Sequence, residues 1–233
     1  MTNCITPLRE GAYWGIITRY WQQLEHWHKP GAWEVLDKAY REDHRAYHTW
    51  EHIGRLLEKL SAFSHLATRP DLIALAAFWH DAVHQTRNAG GMPRLDSENV
   101  RDSAAFFQRY TLLSGNESCA VHDMIMATGC HLQAAAEIAH YEGFADDLDL
   151  FLDLDLSSLA LPWEEFCADL ARIRREFFWV TEAAFCSAQI KILEKFAKDD
   201  ARLYRRSETR QIWRAAAREN LLRCISHLKE KAP

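Results

Sequence analysis

Apolar residues recur along this chain at helical intervals from one end to the other. A first amphipathic stretch runs from about Ile16 to His28 and stops at Lys29-Pro30-Gly31, a helix-ending combination. A second covers roughly Trp33 to Tyr40, and a third, starting near Tyr47, carries Ile53, Leu56, Leu57 and Leu60 on one face. Pro70-Asp71 opens a fourth, DLIALAAFWHDAVH, whose nearly continuous apolar run predicts a buried central helix. The segment RNAGGMPRL, with two Gly and a Pro close together, reads as a loop. Asp96 or Ser97 caps the next helix, which passes Phe106 and Phe107 to about Leu113; SGNES is a turn, and a helix follows over CAVHDMIMATGCH. An acidic, leucine-rich run occupies residues 145–160, and three amphipathic stretches close the chain near 162–178, 181–198 and 209–230. No alternating pattern longer than about four residues marks a strand, and no repeat or linker divides the chain. The pattern therefore predicts an all-α protein, one globular domain over residues 1–233 with roughly nine to ten helices.

Composition narrows the function more than the fold. With 233 residues, 48% of them hydrophobic and 26% charged, the chain can bury one sizeable core. A net charge of −5 leaves no basic field for general nucleic-acid binding. The local basic runs, Arg172-Ile173-Arg174-Arg175 and Arg202-Leu203-Tyr204-Arg205-Arg206, read as solvated helix faces. Six scattered cysteines with no CxxC pair fit reduced thiols rather than a disulfide framework. The first residues lack the basic and apolar regions of a signal peptide, and no run of eighteen apolar residues exists. A cytoplasmic protein without a membrane span is expected.

The chain holds 12 His, and their spacing with acidic residues carries the chemistry. Four separated pieces matter: Tyr47-His48-Thr49-Trp50-Glu51-His52, His80-Asp81, Asp96-Ser97-Glu98, and Asp153-Leu154-Asp155-Leu156-Ser157. His48 and His52, at i and i+4, are expected on one helical face. His80 and Asp81 are expected inside an otherwise apolar helix, where an ionised carboxylate is costly unless a cation compensates it. Mixed imidazole and carboxylate donors suit a divalent ion such as Mn, Mg, Fe, Co, Ni or Zn. Asp153 and Asp155 differ by about 200° around a helix, so they cannot serve interchangeably.

These residues resemble the HD superfamily of metal-dependent phosphohydrolases, whose pattern is a His, a His-Asp doublet on a later helix and a distal Asp. The segment YHTWEHI is similar to the YHNxxH element of the cyclic-nucleotide phosphodiesterase branch, and LDLS to that branch's ADLS. The similarity is greatest to a bacterial group of predicted phosphohydrolases, through RAYHTWEHI, AAFWHDAVH, DSENVRDSA, MIMATGCH, LDLDLSSL, IRREF and ARENLL. The resemblance implies an HD-type helical domain with metal ligands His52, His80, Asp81 and Asp155. The chain departs from the pattern at Thr49 in place of Asn, His84 in place of Tyr and Ala160 in place of Gly.

The expected activity is hydrolysis of a small phosphorylated molecule, a phosphate ester or nucleotide, by metal-activated water. Asp81 is expected to accept a proton from water, and His48, which by the resemblance is not a ligand, to protonate the leaving oxygen. Glu98 and His131 are further candidates, either one to orient water, bind a second ion or contact substrate. Arg45 and Lys191 are candidates for meeting phosphate oxygens. Two other readings stand beside this one: a di-iron oxygenase on the same scaffold, enlisting His84, His122 or His131, and a non-catalytic metal-binding protein. No Gly-rich phosphate loop is present, since Gly90-Gly91 lacks the Lys-Ser/Thr that would follow.

Overall fold

The computed structural model describes residues 11–132, 144–198 and 200–231. Every regular element among them is helical, apart from two isolated bridges, His28 with Thr111 and Arg87 with Pro93. In chain order they are α1 (Trp14–Leu24), α2 (Ala32–Ala39), α3 (Trp50–Phe63), α4 (Pro70–Trp79), α5 (Asp96–Tyr110), α6 (Gly115–Ala127), α7 (Ala145–Asp155), α8 (Trp163–Glu176), α9 (Glu182–Lys198), α10 (Asp200–Leu203) and α11 (Ser207–Lys231). No described helix is long and apolar enough to cross a membrane, and the described cysteines form no disulfide.

Helix α4 is the axis of the molecule. Pro70 begins it, where its missing N–H costs nothing, and Leu72 through Trp79 are all buried. A helix covered on every side needs no polar stripe, which is why its apolar run is unbroken. α1, α3, α5, α6 and α7 pack around it. α11 lies against α9 and against the single 3-10 turn, Leu156–Ala160, that follows α7. Near the base of α4, His28 is stacked on Trp21 at 4.3 Å and accepts the indole N–H of Trp79 at 3.1 Å. Its Nδ1 donates to the Leu24 carbonyl at 3.0 Å, and burial lowers its pKa to about 4.

Helix boundaries differ from the pattern at the places that matter for chemistry. α3 begins at Trp50, not near Tyr47, with Thr49 as its N-cap. The amides of Ala46, Tyr47 and His48 are instead taken by one carboxylate oxygen of Glu176, at 2.8, 2.8 and 2.9 Å. His48 therefore precedes the helix that carries His52, rather than sharing it. α4 likewise ends at Trp79, not at His84, so the His80-Asp81 pair lies in the turn that follows. The carbonyls of Asp81 and Ala82 leave the helical ladder for the Arg45 guanidinium, at 2.7 and 3.1 Å. α5 stops at Tyr110 because the next residues pair with the segment after α1: Leu112 N–H donates to Trp27 O at 2.6 Å. Its N-cap is Leu95 rather than Asp96 or Ser97, and SGNES is no free-standing turn, because α6 already starts at Gly115.

Candidate metal centre

Three elements converge on one cluster: His52 comes from the first turn of α3, His80 and Asp81 from the turn that follows α4, and Asp155 from the last residue of α7. His52 Nε2 lies 3.2 Å from His80 Nε2 and 3.1 Å from Asp155 Oδ1. His80 Nε2 lies 3.0 Å from Asp81 Oδ2 and 3.4 Å from Asp155 Oδ1, and His52 Nε2 lies 3.5 Å from Asp81 Oδ2. An ion with bonds of about 2.1 Å separates neighbouring donors by about 3.0 Å in an octahedron and about 3.4 Å in a tetrahedron. His52, His80 and Asp81 thus gather donor atoms as ligands of one cation would, with Asp155 Oδ1 beside the two imidazoles. His80 Nδ1 donates to the Ala77 carbonyl at 3.0 Å. That bond orients the ring with Nε2 toward the cluster, as outer partners do for metal-ligating imidazoles.

The electrostatics ask for positive charge at the same point. Burial disfavours an imidazolium at His80, yet Asp81 and Asp155 outweigh it and hold its pKa well above the ordinary value. Burial would raise Asp81, but His80 and His48 hold it far below the usual carboxylate range. Asp155 is held low in the same way, against burial, by His80 and by hydrogen bonds from His131 and His52.

The acidic run of α7 is sorted by direction. Asp147 accepts the amides of Thr68 and Arg69, both at 2.7 Å. Asp153, fully buried, accepts the amides of Arg205 and Arg206 at 2.7 and 2.9 Å and the Thr209 hydroxyl. Only Asp155 looks into the imidazoles, and its Oδ2 meets His131 Nε2 at 2.9 Å.

His48 stands beside the cluster, its ring centroid 6.2 Å from that of His52. Its Nδ1 donates to Glu176 Oε2 at 2.6 Å, which leaves Nε2 free. Burial works against its charged form, but Asp81 and Glu176 prevail and its pKa is raised. Glu176 is the residue that sequence pattern missed. IRREF contains it, but nothing in the spacing of a charged helix end marks one Glu as wholly buried. His84 stacks on His48 with centroids 3.8 Å apart and planes 25° from parallel. Its Nε2 comes within 3.2 Å of Glu176 Oε2 off the line of a hydrogen bond, so this buried nitrogen has no partner among the described residues. Burial and neighbouring His48 lower the His84 pKa to about 4. His48, His84 and Glu176 gather donor atoms too. Both ring nitrogens approach the same oxygen, Glu176 Oε2, and only the His48 contact is a hydrogen bond.

The remaining candidates fall elsewhere. The Arg45 guanidinium is fully buried and committed to Glu42 and to the carbonyls of His48, Asp81 and Ala82. It pins the backbone of the site and has no reach left for a phosphate. Glu98 caps α5 by accepting the Leu95 amide at 3.1 Å. Lys191 is exposed on α9, outside the gathered residues. His122, on α6, lies 3.3 Å from Asp123. A cavity of about 180 Å³ borders the cluster on the side of His52 and Asp155, lined also by Tyr47, Lys59 and Ser158. Compared with family models and with curated proteins, the chain matches none.

Proposed function

We propose that this protein is a metal-dependent phosphohydrolase of the HD type, acting on a small phosphate ester or nucleotide. The observation that carries the reading is the spacing of the donors: His52, His80 and Asp81 gather their ligand atoms within reach of one divalent ion, and Asp155 Oδ1 lies 3.1 and 3.4 Å from the two imidazoles. When bound, such an ion supplies Lewis acidity at a phosphoryl oxygen and acidifies water. The chain's own residues do the rest. His48, with Nδ1 tied to Glu176 and its ring beside that of His52, keeps Nε2 as a proton donor. As the P–O bond to the leaving group breaks, that proton goes to the leaving oxygen, and Asp81 takes the proton released by the attacking water. Tyr47, whose hydroxyl bonds Ser158 at 2.9 Å, packs against His52 and closes one side of the site. The adjoining cavity has room for a small leaving group.

Elemental analysis of the purified protein, followed by a metal-supplemented screen of nucleotides and phosphoesters, tests the reading. A stoichiometric divalent ion and turnover that His48→Ala abolishes on poor leaving groups would support it. A protein that takes up no divalent ion would end it, and a loaded protein inert on every phosphoester would leave only a metal-binding role.

A further inference from the structure

We infer that His131 decides how Asp155 offers itself to a cation: it occupies one carboxylate oxygen, leaves Asp155 a one-oxygen donor, and thereby biases the site toward small first-row ions and against calcium. The inference rests on the metal-site reading above and deepens it. The two oxygens of Asp155 have separate partners. Oδ1 faces His52 and His80 at 3.1 and 3.4 Å, while Oδ2 is 2.9 Å from His131 Nε2. His131 itself is held in place. Its carbonyl accepts the Arg205 guanidinium, which also reaches Asp149 at 3.3 Å, and the Arg205 amide is fixed on Asp153 at 2.7 Å. The next carbonyl, of Leu132, accepts from Arg202 at 3.3 Å. Two arginines therefore anchor the backbone from which His131 reaches Asp155.

Calcium takes more oxygen ligands than first-row ions and commonly uses both oxygens of a carboxylate. An N–H on Oδ2 takes one of that oxygen's lone pairs and competes with chelation through it. Smaller ions are content with one oxygen and two imidazoles. His131 is thus a positioning residue acting through Asp155, not a substrate contact.

Titration calorimetry of the full chain with Mn²⁺ and with Ca²⁺, and the visible spectrum of the Co²⁺-loaded protein, test this. We expect His131→Phe, which keeps a ring but loses the donor, to weaken Mn²⁺ binding by about 10- to 100-fold, the usual effect of removing such an outer partner. Ca²⁺ should weaken less or gain, so the preference for Mn²⁺ over Ca²⁺ shrinks, and the Co²⁺ spectrum should shift. His131→Gln, whose amide N–H can still reach Oδ2, should keep most of the preference. Circular dichroism checks that each variant folds, and His131→Ala, which also lacks the donor, carries the comparison should the Phe variant fail. Unchanged Mn²⁺ affinity, or an equal loss for both ions, would overturn the inference while leaving the metal site intact. A parent protein that binds neither ion would overturn the metal-site reading and this inference together.

Discussion

Glu176 and His48 are joined by a 2.6 Å contact between Oε2 and Nδ1, while Glu176 Oε1 accepts the His48 amide at 2.9 Å. One carboxylate thus holds both the ring and the backbone of the same residue, across 128 positions of sequence. Its burial would raise its pKa, but the hydrogen bond and charge of His48 hold it far below the usual range, so it is an anion throughout the physiological range. It is placed to fix the His48 tautomer and to favour the charged ring.

We expect Glu176→Gln to fold and to load metal, because Gln keeps an oxygen for the three amides. Turnover on substrates with poor leaving groups should fall by roughly 10²-fold or more, within the range for a lost general acid. Nitrophenyl phosphates, which need no proton, should lose much less. His48→Ala and the double variant should be nearly as slow as each other, since the two residues act as a unit. Steady-state kinetics on a poor and a good leaving group decide it; full additivity would separate the two residues.

Asp153 and Asp155 should fail in different currencies. Asp155→Asn should empty or weaken the metal site with a small change in the metal-free stability. Asp153→Asn should leave the metal content of the folded protein near normal. It should cost about 1–3 kcal/mol of stability by spoiling a buried acceptor of three hydrogen bonds. Metal content and urea unfolding, measured on both variants, read the two effects; the reverse pattern would exchange their roles.

Helical class was legible because apolar spacing reports burial directly, as the all-apolar stretch Leu72–Trp79 and the one-sided α3 demonstrate. The convergence of His52, His80, Asp81 and Asp155 was legible in residue type and order. Where helices begin and end around the site was not. Tyr47 and His48 would continue α3 by propensity alone, but Glu176 takes their amides from 128 or more residues away. Asp81 and Ala82 would continue α4, but Arg45 takes their carbonyls. Arg45 read as a phosphate ligand for the same reason: a charged residue beside a His-rich motif looks free until its partners fold onto it. Long-range hydrogen bonds of this kind leave no periodicity behind.

A divalent ion should stabilise the fold by mass action. At a hundredfold excess over its dissociation constant the gain is about 2.7 kcal/mol. We expect Mn²⁺, Co²⁺ or Ni²⁺ to raise the melting temperature of the parent and not that of Asp81→Ala or His80→Ala. These variants should also show little bound metal while keeping their helical circular dichroism. An equal rise in parent and variants would locate the ion elsewhere.

His28 should make stability fall in acid. Burial lowers its pKa to about 4 in the fold, against 6.5 ordinarily, because protonation would put a charge between Trp21 and Trp79 and remove the acceptor of the Trp79 indole. The folded state therefore favours the neutral ring. Its contribution is complete above pH 6.5, declines as pH falls through the interval to about 4, and is lost below it. A shift of this size corresponds to about 3 kcal/mol across that window. Carboxylates titrate there too, so the informative quantity is a difference. Urea unfolding at pH 7, 5 and 4 should show the stability gap between the parent and His28→Gln narrowing as pH falls, because Gln can replace the hydrogen bonds but carries no titratable group. A gap that stays constant between pH 7 and 4 would mean that His28 does not resist protonation in the fold.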